Sequence, residues 1–162
     1  MTTNIEIKKK TKLTKQEKIQ LFNLWNNEYP EKLTYDNLTE FDKYLFQLKN
    51  KNHYLLTSID LFILGWAITF ERENEKWFAL ILSQKIQGKG LGKKILDELK
   101  KHEQSLNGWV IDHHDDKKKN GDQYISPLKF YEKCGFKIFI DERLELDKIS
   151  AVRIRWQSKT SY

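Results

Sequence analysis

A chain of 162 residues and 19.5 kDa is one domain's worth of polymer, long enough to bury roughly 70% of its unfolded surface around one core. Its 39% hydrophobic and 13% aromatic content is too high for a disordered chain, and its single Cys excludes an intramolecular disulfide framework and any all-cysteine metal site. The balance of 29 Lys+Arg against 23 Asp+Glu gives +6 and a pI near 9.2, which raises nucleic acid as a partner. Only four of the basic residues are Arg, however, and the Lys residues are spread along the whole chain, the pattern of a solvated surface rather than of a binding stripe.

In chain order, Ile5 and Ile7 alternate with polar neighbours, a short strand signal. Thr14 stands three residues before Glu17, the spacing of a capping box, and Leu21, Leu24 and Trp25 follow at helical spacing until Pro30 removes a donor. Residues 38–48 predict a second helix, with Leu38, Phe41, Leu45 and Leu48 on one face. Residues 53–57, 62–70 and 76–82 read as three successive strands rich in aromatic and branched residues, joined by separators short enough for antiparallel hairpins. A glycine-rich turn then opens a helix over residues 91–104 whose core face is Leu91, Ile95, Leu96 and Leu99. Residues 109–112 predict a buried strand, because Trp109, Val110 and Ile111 are continuously apolar. Residues 113–123 form a hydrophilic loop. Ser126 and Pro127 then open a helix as N-cap and first helical residue, and that helix carries Leu128, Tyr131 and Cys134 and stops at Gly135. Residues 136–140 and 151–156 are two closing strands. The longest apolar stretch, residues 61–70, is half of the 20 or so residues that a membrane-spanning helix needs. Residues 1–12 hold no apolar run of the secretory kind, so a soluble cytoplasmic protein is the expectation.

The turn Gln87-Gly88-Lys89-Gly90-Leu91-Gly92 carries the most chemical information. At the start of a helix its backbone amides lack partners and lie at the positive end of the helix dipole. Glycine at 88, 90 and 92 lets an anion approach without a Cβ in the way, so phosphate or pyrophosphate binding is implied. A P-loop fails because Gly-Lys does not recur at the required spacing from Gly88. A dinucleotide fingerprint fails because Lys93 stands where its third Gly belongs. A flexible connection between strand and helix is the plain alternative.

Gln87, Gly90 and Gly92 do fit the pyrophosphate loop of the GNAT superfamily of N-acetyltransferases, which reads Gln or Arg, two residues, Gly, one residue, then Gly or Ala. One strand further on, Phe130-Tyr131-Glu132-Lys133-Cys134-Gly135-Phe136 resembles the GNAT segment Phe-Tyr-Glu-Lys-x-Gly-Phe. The element order resembles the family's as well. Where many relatives carry Asn and Ala ahead of this tyrosine, the chain has Tyr124 and Pro127.

The resemblance implies a single α/β (α+β) domain with a mixed, mostly antiparallel sheet of six or seven strands and about four helices, splayed between the strands at Leu80 and Val110. It implies transfer of an acetyl group from acetyl-coenzyme A to a primary amine by direct attack. The backbone of Leu80, Ile81 and Leu82 would take the pantetheine arm, and the turn formed by Gln87, Gly88, Lys89, Gly90, Leu91 and Gly92 the pyrophosphate. An amide near Leu82 would steady the thioester oxygen, an effect worth roughly 3–4 kcal/mol in acyl-transfer enzymes. Tyr131 matches the tyrosine that protonates the departing thiolate. An ammonium must also lose its proton before attack, and the candidate bases are Glu71, Glu73, Glu75, Asp112, His113 and His114, or solvent; the residues single out none of them.

Cys134 reads as a small buried residue rather than a nucleophile, and the adjacent His113-His114-Asp115-Asp116 point in different directions, so no metal is expected. The acceptor is a small-molecule or protein amine, its specificity expected in residues 13–50 and 113–125. The closing strands offer an edge for pairing two copies. The competing functions are a GNAT-like domain that senses coenzyme A without turnover, and a basic nucleic-acid-binding module.

Overall fold

A computed structural model describes residues 4–159; the first three residues of the N-terminal stretch read above for a leader lie outside the described residues. The elements are β1 (Ile5–Lys10), α1 (Lys15–Glu28), α2 (Leu38–Gln47), β2 (Lys49–Ser58), β3 (Ile63–Arg72), β4 (Glu75–Leu82), α3 (Leu91–His102), β5 (Ser105–Ile111), α4 (Leu128–Lys133), β6 (Lys137–Leu146) and β7 (Ile149–Gln157). This is the expected order, in one seven-stranded mixed sheet arranged β1-β2-β3-β4-β5-β7-β6. No helix among the described residues is long and apolar enough to cross a membrane.

Local chemistry explains the element ends. Thr14 Oγ1 accepts the Glu17 amide at 3.1 Å while Glu17 Oε1 accepts the Thr14 amide at 2.8 Å, the reciprocal capping box that starts α1. Between β3 and β4 the turn is the two residues Glu73 and Asn74, with φ of 52° and 63°, the twist-matched geometry of a tight hairpin. α4 closes with the Gly135 amide on the Glu132 carbonyl and the Phe136 amide on the Tyr131 carbonyl, both at 3.1 Å, and Gly135 at φ 90°; this paired arrangement requires a left-handed residue just past the helix.

Several boundaries differ from expectation. β2 begins at Lys49, α3 ends at His102, and β5 begins at Ser105 and stops at Ile111. Polar Asn107 belongs to β5 because its amide is buried and bonded, donating to the Lys76 carbonyl at 3.0 Å. β6 continues to Leu146 through a bulge between Phe139 and Arg143; it is an edge strand, where charged side chains and bulges are the normal means of blocking further pairing. At α4 the N-cap is Pro127 rather than Ser126, although Ser126 Oγ still accepts the Leu128 amide at 3.2 Å and donates to the Ile111 carbonyl.

The sheet divides two cores. α1 and α2 bury Leu21, Trp25, Phe41 and Leu45 against Trp66, Ile68 and Ile81 on one face. On the other, α3 and α4 bury Ile95, Leu96, Leu99 and Tyr131 against Ala67, Phe78, Leu106 and Ile154.

His53 lies inside the sheet, 2% exposed, and its Nδ1 accepts the Trp66 indole N–H at 3.1 Å. Burial, followed by the nearby Lys51 charge, lowers its pKa from 6.5 to about 4. A depressed folded-state value means that the fold favours the neutral ring, so the stability is present above pH 6.5 and is lost as pH falls toward 4. Urea titrations at pH 7 and pH 5 are expected to differ by about 2 kcal/mol more in the wild type than in His53→Gln; equal differences would assign the acid sensitivity elsewhere.

The central pair of the sheet positions the site. Among the described residues β4 and β5 are its only parallel neighbours and meet at the single register Trp77↔Asn107. Beyond that point they part, and, among the described residues, residues 78–82 of β4 pair with β3 alone.

Candidate active site

The parting of β4 and β5 opens into two cavities. A cleft of about 860 Å³ lies between the end of β4, the glycine turn, α4 and the segment ahead of α4. Eight of the ten residues expected to act line it: Leu80, Ile81, Leu82, Gln87, Gly88, Gly90, Gly92 and Tyr131. Lys89 and Leu91 belong to the same turn but not to the wall, the Leu91 side chain packing into the core beneath α3.

A one-turn helix over Gln84–Ile86 bridges the gap between β4 and the glycine turn. Gln87 Nε2 donates to the Leu82 carbonyl at 3.0 Å and ties the turn to the strand end. Gly88 and Gly90 have φ of 78° and 79°, left-handed values that disfavour any side chain. A Cβ at either would meet nothing within 4 Å, so the space in front of these two residues is open. Gly92 differs from the expectation that it clears the way for an anion: a Cβ there would lie 2.9 Å from Phe130 and 3.1 Å from Leu82. Its small size lets α3 approach the sheet and α4. Gly90 caps α3 without any side-chain hydrogen bond, so the first-turn amides stay available at the positive helix end.

Two carboxylates, Glu28 and Asp122, line the cleft, and neither was singled out by the sequence. Glu28 pairs with Lys118 at 3.0 Å and accepts the Gln84 amide at 3.0 Å. Nothing local in the sequence distinguishes the last residue of α1, because its partners come from two distant loops.

The second cavity, a chamber of about 280 Å³, lies on the α1–α2 side of the parting. Ten aromatic side chains line it, among them Trp25, Tyr44, Phe70, Trp77 and Trp109, and Arg72 is its one charged lining residue. Tyr29, Leu80, Tyr124, Pro127 and Tyr131 line both cavities and so form the junction. Tyr131 is 5% exposed, and its ring is held edge-on by Phe78, Phe130 and Phe136 at 5.7, 5.2 and 5.5 Å. Burial first, then Tyr124 and Cys134, raises its pKa above the ordinary 10. Burial raises Tyr29 and Tyr124 likewise. All three phenols therefore keep their protons at neutral pH and act as donors, not bases.

None of the base candidates lines either cavity. Glu75 is held by Arg155 at 2.7 Å and Arg153 at 3.1 Å, and Asp112 by Arg143 at 2.9 Å, whose hydrogen bond holds the Asp112 carboxyl below its usual range. Glu71 accepts from Asn50 at 2.7 Å, Glu73 sits in the hairpin turn, His113 accepts the Asp115 amide at 3.1 Å, and His114 accepts the Ser126 amide at 3.0 Å. Among the described residues no cluster of three His, Cys, Asp or Glu side chains is arranged to hold a metal. Cys134 is half-buried at the end of α4, and burial pushes its thiol pKa up, away from the reactive thiolate.

Residues 50–138 match the acetyltransferase (GNAT) domain family. No curated protein matches the sequence. Among solved structures, an aminoglycoside 6'-N-acetyltransferase complexed with coenzyme A superposes with a TM-score of 0.71 at 15% identity, over 94% of this chain and 96% of that one. A phosphinothricin acetyltransferase from Sinorhizobium meliloti in complex with acetyl-coenzyme A gives 0.66 at 12% identity over 94% and 88%. A spermidine N-acetyltransferase from Vibrio cholerae in complex with coenzyme A and spermine gives 0.66 at 14% identity over 93% and 95%. At these identities the likeness is one of fold.

Proposed function

The chain belongs to the GNAT acetyltransferase family, and on that premise we propose that it transfers an acetyl group from acetyl-coenzyme A to the primary amine of a small molecule, by direct attack within a ternary complex. Two cavities that meet at Tyr131, on either side of parted strands, support this reading most directly. One is large enough for an extended cofactor and the other small enough for an amine. The coenzyme A and acetyl-coenzyme A of two structural relatives are the natural occupants of the larger one.

The larger cleft offers what such a molecule needs. The side of Leu80, Ile81 and Leu82 turned away from β3 would offer backbone groups to the amides of the pantetheine arm, the Leu82 carbonyl excepted, which already accepts from Gln87. Gly88 and Gly90 leave clear space before the uncapped start of α3, where the amides and the dipole favour a diphosphate. When bound, acetyl-coenzyme A supplies the activated acetyl carbon and a thiolate leaving group. A β4 amide directed at the acetyl oxygen would steady developing negative charge, and the Tyr131 hydroxyl would hold a proton for the departing sulfur. No carboxylate or imidazole lines the chamber. The acceptor amine therefore gives its proton to solvent, helped by apolar walls that disfavour an ammonium.

Calorimetric titration of the folded protein with coenzyme A, paired with a thiol-release assay over a panel of amines, tests the proposal. Saturable binding plus amine-dependent thiol release is the expected result. Binding without release from any amine would leave a cofactor sensor, and no binding would overturn the reading altogether.

A further inference from the structure

Resting on the transferase reading above, we infer that the acceptor is a small amphoteric amine, one whose amino group is carried on an apolar or aromatic body together with a carboxylate, and that Arg72 and the Trp77 indole recognise the carboxylate. The chamber wall is half aromatic and carries no acidic side chain. A polycation such as a polyamine or an aminoglycoside would bring several ammonium groups into a space without a single counter-charge, a costly desolvation. At about 280 Å³ the chamber is at the lower end of small-molecule sites, suited to a body the size of a large amino acid.

Beside the phenol hydroxyls, two further donors at the chamber are unspent. Of the four arginines, Arg143, Arg153 and Arg155 are paired with carboxylates at 2.9, 3.1 and 2.7 Å. Arg72 stands in no ion pair among the described residues; its guanidinium lies over the Phe70 and Trp77 rings at 5.0 and 5.6 Å, which hold it at the chamber without neutralising it. Trp77 is 4% exposed and its Nε1–H has no hydrogen-bond partner. A buried donor left unpaired is rare and costly, and here it lies in a residue that lines the chamber beside an unpaired cation. Both groups call for an anionic oxygen, and guanidinium is the side chain best matched to a carboxylate.

The test uses three matched pairs of ligands: phenylalanine and phenethylamine, leucine and 3-methylbutylamine, tryptophan and tryptamine, with spermidine as the polycation. Each is titrated by calorimetry into the full chain saturated with coenzyme A, and each is assayed for thiol release with acetyl-coenzyme A. The carboxylate-bearing member of at least one pair is expected to bind tenfold or more tighter than its amine, and spermidine to bind most weakly. Arg72→Gln is expected to erase the difference within that pair, and Trp77→Phe, which keeps the ring but removes the donor, to reduce it severalfold. Arg72→Lys serves where Arg72→Gln fails to fold, with coenzyme A titration as the check on folding. Equal binding within every pair, preference for spermidine, or a pair difference that survives loss of the Arg72 guanidinium would overturn the inference. Thiol release with spermidine alone would do so while leaving the transferase reading intact, whereas absence of coenzyme A binding would remove both.

Discussion

Gly90→Glu is expected to abolish saturable coenzyme A binding, weakening it by more than about 100-fold, or about 2.7 kcal/mol. Gly90 caps α3 at φ 79° with no side chain over the helix start, and a Cβ built there meets nothing within 4 Å. The space is therefore available to a ligand, and a side chain placed in it would reach the same open amides. A carboxylate there would satisfy those amides itself and repel a diphosphate; a like charge at about 4 Å costs about 4 kcal/mol at the effective dielectric of a protein surface. Gly90→Ala separates charge from backbone strain. It adds the same left-handed penalty, roughly 1–2 kcal/mol, but leaves the amides exposed, so it should lose stability while retaining binding. Calorimetry on both variants, with thermal melts as the check on folding, decides the matter: equal loss in both would mean that strain rather than an occupied anion site was responsible, and retained binding in Gly90→Glu would place the diphosphate elsewhere.

The sequence was most legible where one element explains itself. Periodicity marked α1, α2 and α3, because each buries one stripe against the sheet. The capping box at Thr14 and the left-handed closure at Gly135 are local chemistry and were found where local chemistry put them. The open, left-handed backbone of the glycine turn was legible at Gly88 and Gly90 but not at Gly92, which is small for packing against Phe130 and Leu82, a contact between three elements. The sequence marks this last-but-one strand, β6, only over residues 136–140, where the apolar residues lie; Asp141, Glu142 and Arg143 carry no apolar face, and an edge strand needs none to stay paired with β7. The aromatic chamber was not legible at all. Its walls come from α1, α2, the connection between them, five strands, α4 and the segment ahead of α4, and each ring, taken singly, reads as an ordinary core residue. The positions of Glu71, Glu73, Glu75, Asp112, His113 and His114 are hidden for the same reason: proximity to strand ends does not reveal that all six side chains lie off both cavity walls, with Glu75 and Asp112 held by Arg and Glu71 by Asn50.

Tyr131→Phe is expected to lower turnover by roughly 100-fold, with the loss falling on kcat rather than on affinity for coenzyme A. The substitution keeps the ring among Phe78, Phe130 and Phe136 and deletes only the hydroxyl at the junction of the two cavities, so packing and cofactor contacts are preserved. The pH dependence distinguishes a proton donor from a group that merely shapes the cleft. Burial has moved the Tyr131 pKa above 10; a raised value keeps the phenol protonated at every pH below it, so its ionisation produces no falling limb in the working range. With Tyr29 and Tyr124 raised in the same way and no carboxylate or imidazole lining the chamber, the rising limb of kcat/KM belongs to the acceptor and follows the amine's own pKa from one substrate to the next. The ratio of wild-type to Tyr131→Phe rates should accordingly stay constant between about pH 6 and pH 9.5. A ratio that collapses within that window would require a titrating group on the protein, and turnover unchanged in Tyr131→Phe would leave the departing sulfur to water, with the tyrosine reduced to part of the wall.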